Sequence, residues 1–562
     1  MKTVTADILV IGGGLAGAWA AIKAKEAGRE VVLIDKGKIG RSGSSVFAAG
    51  SLNICFPQDN KEVWLNEIVE RGEYLNDQEW VLLQLNQTYP NVMELDALGR
   101  RYGMKVLERG EDGEPVRKRA RGNINTFTTV INALPMMDTL VLRLKELGIP
   151  LYERVMAVDL LTEGDRVCGA VGLAYRENTF YTFLAKAVVM AAGGCGFKSF
   201  FLGHKNLTGE GQAMAYEKGA IFRNLDQAMS NTTAKALDIH GLSLMVGLGG
   251  RFLNKDDKEF MWEYEPEVGN RARLTKLTVA MAKEAKAGRA PLYLDLRQVA
   301  PADQELLKRI LPEGFKAFSS MGLDPFKQKI EWIPAFQGSN AHGGGIAIDT
   351  QCTTHVPGLY AIGDSSCTPE HDTWSITGLN LAFCFVSGFQ AGTHAANDVA
   401  NVDLPDKRKT AKAARQAMGQ ALAPLDRIHG LAPEEVTRKI QETIIPYDVC
   451  YLRNQERLEA ALEKMVRLRR EEVQKVSANN THSLMKALEV PPMALVGEMI
   501  LRSALYRKES RGFQYREDYP LTDNIDWLKW IMVKKDGEEM RVWAEEFPTP
   551  YIKPPREKYP PR

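Results

Sequence analysis

The stretch Ala6 to Gly37 constrains this chain more than any other. It reads ADILVIGGGLAGAWAAIKAKEAGREVVLIDKG. An apolar run from Ile8 to Ile11 predicts a buried strand that enters Gly12-Gly13-Gly14-Leu15-Ala16-Gly17 directly. A helical pattern follows to about Ala27, then a second apolar strand, Glu30 to Ile34, ending in Asp35. Strand, glycine turn, helix, strand and acid in that order make a dinucleotide-binding βαβ unit. Gly12 allows the tight turn, Gly14 lets the backbone approach a pyrophosphate, and Gly17 lets the helix pack on the strand. The helix N-terminus offers free N–H groups and a positive dipole end to phosphates. Asp35, eighteen residues after Gly17, stands where an acid accepts from the hydroxyls of an adenosine ribose.

The remaining composition narrows the class. A chain of 562 residues holds two to four domains. Apolar residues make up 44% and charged residues 25%, the balance of an ordinary globular protein. A formal net charge of +1 gives no field for nucleic acid or an anionic membrane. No apolar run has the length of a membrane span. The first strand begins almost at the N-terminus, leaving no room for a signal peptide. Seven cysteines are scattered singly with no CxxC, so a reducing, cytoplasmic setting is expected, without a zinc ribbon or ferredoxin-type cluster.

Along the chain, Gly40 to Ser45 and Val46 to Asn53 are rich in small and hydroxyl residues, suited to close backbone approach to a phosphate or flavin ring. Lys61 to Tyr102 is amphipathic and helical. Val116 to Asn132, basic and polar, predicts a surface loop. Strands return from Ile149 to Phe183. Two later apolar strands end in Gly193-Gly194 and in Gly363-Asp364, as expected where a sheet's carboxyl edge meets a ligand. Asp364 is placed to accept from a ribityl hydroxyl, or to cap a helix. The expected fold is α/β: a Rossmann-like dinucleotide-binding domain (1–224 and 335–405), an inserted α+β domain (225–334) and a helical C-terminal domain (406–510). A tail (511–562) holds six prolines after Gly537 and is expected to be extended. Leu452 to Val476 reads as one long amphipathic helix.

The glycine fingerprint, Ala191-Ala192-Gly193-Gly194, Gly358-Leu359-Tyr360-Ala361-Ile362-Gly363-Asp364 and the late Glu509-Ser510-Arg511-Gly512-Phe513-Gln514-Tyr515-Arg516-Glu517-Asp518-Tyr519-Pro520 occur in this order across nearly the whole chain. Together they resemble the flavoprotein family of fumarate reductase, succinate dehydrogenase and aspartate oxidase. Within it, Arg41-Ser42-Gly43, Gly50-Ser51-Leu52-Asn53, Tyr152-Glu153-Arg154-Val155 and Arg176-Glu177-Asn178-Thr179-Phe180-Tyr181 look most like the alpha subunit of adenylylsulfate reductase. The resemblance implies FAD, bound by Gly12, Gly14, Leu15, Ala16, Gly17, Asp35 and Lys36, then by Ser42, Gly43, Ser44, Ala49, Gly50 and Ser51. Ala192, Gly193, Gly363, Asp364, Asn380 and Leu381 complete the implied set.

The departures matter as much. Members that bind FAD covalently carry a histidine where this chain has Ser44-Ser45-Val46, and no histidine precedes His204, so a non-covalent FAD is expected. The His-Pro-Thr substrate motif of fumarate reductases corresponds to Asn231-Thr232-Thr233, and the histidine before their Gly-Gly loop to Asn340. Their carboxylate-gripping arginine corresponds to Ser375. The cofactor chemistry therefore transfers and the substrate does not.

Catalytic candidates come from the glycine-rich loop and from the inserted domain, which the resemblance implies is a cap on the FAD-binding domain. His342, in Gln337-Gly338-Ser339-Asn340-Ala341-His342-Gly343-Gly344-Gly345, can titrate near neutrality. Arg273, ahead of a predicted helix, matches the proton-donating arginine of fumarate reductases within one residue. His371 and Trp374 are placed to line the same cavity, and Asn53, Asn231 and Asn340 are candidates to touch substrate. Each has a purely structural alternative: a hydrogen-bonded histidine, a surface ion pair, a core tryptophan. The expected activity is an FAD-dependent oxidoreductase passing electrons between a small polar substrate and a ferredoxin-like iron–sulfur partner. One alternative is a self-contained FAD oxidase or ene-reductase on an organic acid. The other is a flavin protein for electron transfer alone, without a substrate.

Overall fold

The computed structural model describes residues 1–561 apart from 49, 201–202, 240, 342 and 374. Strand β1 (Lys2–Ile11) runs into the glycine turn, helix α1 (Leu15–Glu26) follows, and β2 (Val31–Asp35) lies parallel to β1 with Ile11 opposite Ile34. Apolar residues at nearly every position of β2 and the second half of β1 bury both faces, as a parallel strand requires. The strand Thr179–Met190 flanks β1 on its other side, also parallel, over the whole length from Lys2–Tyr181 to Ile11–Met190. It is the last strand of an antiparallel meander begun by Val155–Glu163 and Arg166–Ala174. Leu359–Ala361 pairs parallel to the end of Thr179–Met190. Three strands thus finish side by side at Ile11, Met190 and Ala361, and the turns that follow them line one edge.

Helix Leu379–Asp398 packs along α1, with Trp19 edge-on to Phe385 at 6.3 Å. Both helices begin at that same sheet edge. A second sheet, ordered Met229–Ala234, Ile330–Gly338, Tyr293–Asp295, Arg251–Leu253, carries the inserted segment, covered by helices that include Leu274–Lys286. Its core is a separate cluster around Phe252, Leu277, Met281 and Trp332.

Helices Lys407–Leu422, Pro433–Ile444, Gln455–Arg467 and Thr481–Tyr506 follow. The long helix expected over Leu452–Val476 is α-helical only to Arg467, then passes through a π turn (Leu468–Glu472) and a 3₁₀ turn (Val473–Lys475). The tail is not extended throughout. Trp530–Asp536 and Glu539–Glu545 form a hairpin across Gly537 that adds to Phe222–Arg223. Alternating apolar residues Ile531, Val533 and Val542 bury one face of it. The expected surface loop Val116–Asn132 is also different: it contains two short strands, and Arg121, Asn123 and Thr126 are buried. Its polarity is satisfied internally, Glu67 accepting from the backbone N–H groups of Ile124, Asn125 and Thr126 at 2.7–3.0 Å. Among the described residues no helix is long and apolar enough to cross a membrane.

Candidate functional site

Where the three strands end, a cleft opens. Of the residues expected to hold the dinucleotide, Gly12, Gly14, Leu15, Ala16, Asp35, Lys36, Ser42, Gly43, Ser44, Ala192, Gly193, Gly363 and Asp364 line it. Gly12 has φ +112, and a Cβ there would lie 2.1 Å from the Ala191 carbonyl oxygen, so only glycine fits this crossing of strands. Gly17 is not in the wall; it packs the helix against the Gly12 carbonyl. Gly50, just before the short strand Ser51–Asn53, faces Leu244 and Ile310, and neither Gly50 nor Ser51 is in the cleft wall. Leu381 packs against the core, and Asn380 reaches the cleft through Asp364, to which its amide donates at 3.0 Å. Ala49, His342 and Trp374 lie outside the described residues.

Asp35 is held rigidly. One carboxylate oxygen accepts from Gly13 N at 2.7 Å, the other from Gly37 N at 2.6 Å and Ser42 Oγ at 3.1 Å. Lys36 turns away into an ion cluster with Glu210 at 2.7 Å and Glu489 at 2.9 Å, which raises its pKa against the opposing effect of burial. Burial raises the pKa of Asp364. Glu210, Gly211, Met214 and Cys384 also line the cleft. The sequence signal that could have found the first of these is Thr208-Gly209-Glu210-Gly211, a second glycine-rich helix start.

FAD fits this cleft on three observations. A Cβ at Gly14 would meet only Ser45 Oγ, at 3.2 Å, so the space in front of the α1 N-terminus is open. The N-termini of α1 and Leu379–Asp398 both face the same edge. Among the described residues, two buried polar atoms there lack partners: Asn380 Oδ1 and, on a helix beside the cleft, Gln212 Nε2. Such orphans are costly unless a ligand satisfies them.

Asn340, expected at the substrate, belongs instead to the cleft wall. Its Oδ1 accepts from Gly194 N at 3.4 Å, and its Nδ2 donates to Ser44 Oγ at 3.1 Å and lies 3.2 Å from His204 Nε2. His204 Nδ1 lies 3.3 Å from Ser199 Oγ. Asn231 makes a local bond, accepting from Thr232 N at 2.8 Å within its own strand.

The structure brings Arg273 and His371 together. Arg273 caps the helix Leu274–Lys286, is 2% exposed, and pairs through Nη1 with Glu73 Oε1 at 2.7 Å. His371 is fully buried and its Nδ1 accepts from Ser375 N at 2.9 Å. Burial, helped by the Arg273 charge, pushes the His371 pKa down to about 3. Nearby, Asn53 N donates to the Gly378 carbonyl at 3.0 Å while its buried Nδ2 has no partner among the described residues, an available donor. Glu73 is a residue sequence reasoning missed; nothing local in Arg71-Gly72-Glu73-Tyr74 marks it.

The His371 shift has a measurable consequence. The unfolded imidazole binds its proton near the ordinary 6.5, the folded one near 3. Between those values the unfolded chain holds more protons, so this contribution to stability is complete above about pH 6.5 and is lost as pH falls toward 3. His371→Gln is expected to remove about 2 kcal/mol of the stability change between roughly pH 7 and pH 5. Parallel pH curves of thermal stability for wild type and variant would contradict the assignment.

Comparison with known proteins agrees with this construction. A family model described as an FAD binding domain matches residues 7–379, and one described as a fumarate reductase flavoprotein C-terminal region matches 438–559. The chain is 29% identical over 564 residues to an uncharacterized FAD-dependent oxidoreductase of Methanocaldococcus jannaschii, covering 97% of this chain and 98% of the relative. It is 26% identical to one of the subunits of the fumarate reductase (CoM/CoB) of Methanothermobacter marburgensis, covering 95% and 97%. Among solved structures, E. coli quinol fumarate reductase FrdA superposes with a TM-score of 0.89 at 24% identity, covering 99% of both chains. Adenylylsulfate reductase of Archaeoglobus fulgidus gives 0.80 at 23% identity, covering 98% and 97%.

Proposed function

This chain belongs to the fumarate reductase and succinate dehydrogenase flavoprotein family and is an FAD-dependent oxidoreductase; from that premise we propose that it is the flavin subunit of a larger redox enzyme, linking a small polar substrate to an iron–sulfur partner. The observation that carries this reading is the buried pairing of Arg273 with Glu73 beside His371, where the capping segment meets the flavin-binding fold.

Bound FAD supplies the exchange of an electron pair. The chain supplies the rest. The α1 N-terminus and Gly14 would receive the pyrophosphate, Asp35 the ribose and Asp364 a hydroxyl of the ribityl chain. Arg273 places a planar cation over the substrate space and holds transferable protons on its guanidinium nitrogens, with Glu73 fixing its orientation. His371, neutral at physiological pH, orients the loop through Ser375 N rather than acting as a cation. Asn53 Nδ2 is available as a neutral donor.

FAD is expected to be non-covalent, because Ser44-Ser45-Val46 stand in the loop where a histidyl link would form. Acid precipitation should leave yellow FAD in the supernatant, and flavin retained by the fully denatured pellet would contradict this.

For the partner, support comes from the cysteines and the relatives. All seven cysteines are buried and free, and the nearest two in sequence, Cys352 and Cys367, are fifteen residues apart. A cluster needs several converging thiolates. Relatives are named as subunits. Purification from the native source, or co-expression with neighbouring genes, should yield iron and sulfide with a second small chain. A fully active flavoprotein without iron or partner would replace this reading with a self-contained flavoenzyme. Anaerobic titration with sulfite and AMP, then with fumarate, followed by flavin absorbance, sorts substrates between sulfur oxyanions and small carboxylic acids.

A further inference from the structure

The hairpin near the end of the chain leaves one strand uncovered. Its sheet runs in the order Gly345–Ile346, Phe222–Arg223, Trp530–Asp536, Glu539–Glu545, so the last of these is an edge. Among the described residues no other strand pairs with its outer side. Ile531, Met532 and Val533 of the inner strand are buried, whereas no residue of Glu539–Glu545 is. An open edge is a row of unpaired N–H and C=O groups, and proteins blunt such edges with proline, lysine or a bulge. None of these interrupts Glu539-Met540-Arg541-Val542-Trp543-Ala544-Glu545, and its register to the inner strand is regular from Trp530–Glu545 to Asp536–Glu539. Alternation gives the strand two faces. Met540 and Val542 pack toward the core and line a groove with Leu462, Leu505, Tyr506 and Trp527. Glu539, Arg541, Trp543 and Glu545 share the other face. There Arg541 lies over the Trp543 ring at 5.2 Å, and Trp543 Nε1 donates to Glu545 Oε2 at 3.2 Å. Arg541 and Glu545 are exposed, and neither is in an ion pair among the described residues.

We propose that Glu539–Glu545 is the contact between two copies of this chain, paired antiparallel about a two-fold axis through Trp543. An axis normal to the sheet keeps each face of the strand beside the same face of its copy. With Trp543 at the centre, Arg541 stands opposite Glu545 of the second copy, and Glu545 opposite its Arg541. The two tryptophans meet between these ion pairs, and Val542 meets Ala544. Opposite charges, aromatic pairs and apolar pairs across neighbouring strands all stabilise a sheet. The adjacent registers lose this match. Centring on Val542 sets Glu539 against Glu545 at both ends, and centring on Arg541 sets two arginines against each other. The match of charge to charge within one seven-residue strand is what points to a second copy rather than to a different chain. Pairing joins two four-stranded sheets into one. The grooves of the two copies lie beside the axis and add apolar area to a contact that one pair of strands would leave small.

The test measures the mass of the full-length, FAD-loaded flavoprotein by analytical ultracentrifugation. Wild type is expected to be a dimer at micromolar concentration. Arg541→Glu sets glutamate against glutamate at both ends of the pairing, and Glu545→Arg sets arginine against arginine. Each alone should weaken the dimer roughly 10-fold or more. Mixed in equal amounts, the two variants regain opposite charges at both positions and should form a dimer holding one copy of each. The double variant Arg541→Glu with Glu545→Arg restores the pairs within itself and should dimerise like wild type. FAD content and melting temperature, read in the same samples, separate a lost contact from a lost fold, and the mixture and the double variant decide the matter if a single variant is unstable. Wild type that is still monomeric at about 100 μM overturns the proposal. So does a dimer that the single variants form as tightly as wild type, or a mixture of them that stays monomeric. A particle holding one copy of this chain with a different chain, and no second copy, overturns it as well.

Discussion

Gly14→Val is expected to give a folded chain that carries no FAD. Gly14 is the N-cap of α1 with φ −72 and ψ −173, extended backbone that valine adopts without strain. Within the protein an added Cβ meets only Ser45 Oγ, at 3.2 Å. The rest of the isopropyl group points into the open front of the helix N-terminus, where the pyrophosphate must come close to backbone N–H groups. Loss of that approach is worth at least ~100-fold in affinity. Gly12→Ala is the contrasting variant. Its Cβ would lie 2.1 Å from the Ala191 carbonyl oxygen at φ +112, so the βαβ unit itself fails. Flavin absorbance per mole of protein, read beside circular dichroism, separates the two outcomes. Stoichiometric FAD in folded Gly14→Val would place the pyrophosphate elsewhere.

The flavin half of the site was legible in the sequence because its constraints are local. A strand period, three glycines at fixed spacing and an acid at the next strand's end are consecutive, and backbone geometry alone dictates them. Asp35, Gly193 and Asp364 lie in the cleft wall for that reason. The substrate half depends on contacts between segments hundreds of residues apart, and sequence position carries little about them. Glu73 reaches Arg273 across 200 residues. Polarity misled where polar groups satisfy one another internally, as in Val116–Asn132. Proline misled in the tail, because the six prolines follow the hairpin rather than interrupt it. Asn340 was placed with substrate by analogy of position, while its amide is committed to Gly194 and Ser44 on the flavin side.

Arg273→Ala is expected to lower turnover by roughly 100-fold or more while leaving the bound flavin's spectrum intact. The same substitution strands Glu73. Removing one member of a buried ion pair costs about 3–5 kcal/mol, and a destabilised enzyme also turns over slowly. The double variant Arg273→Ala with Glu73→Gln removes the stranded charge. It should recover much of the lost melting temperature and none of the lost turnover. Local structure gives further reason to expect a chemical role. Arg273 sits at a helix N-cap, where a cation opposes the macrodipole and where Ser or Asp would serve better. Its partner Glu73 has φ +51 and the next residue, Tyr74, φ +62. Left-handed backbone at two successive non-glycine residues costs roughly 1–2 kcal/mol each. Arg273→Lys keeps the charge beside Glu73 and loses the planar fork, so it should fold like wild type and remain impaired in turnover. Recovery of turnover in the double variant, in step with its stability, would reduce Arg273 to a structural ion pair and leave the proton to another group.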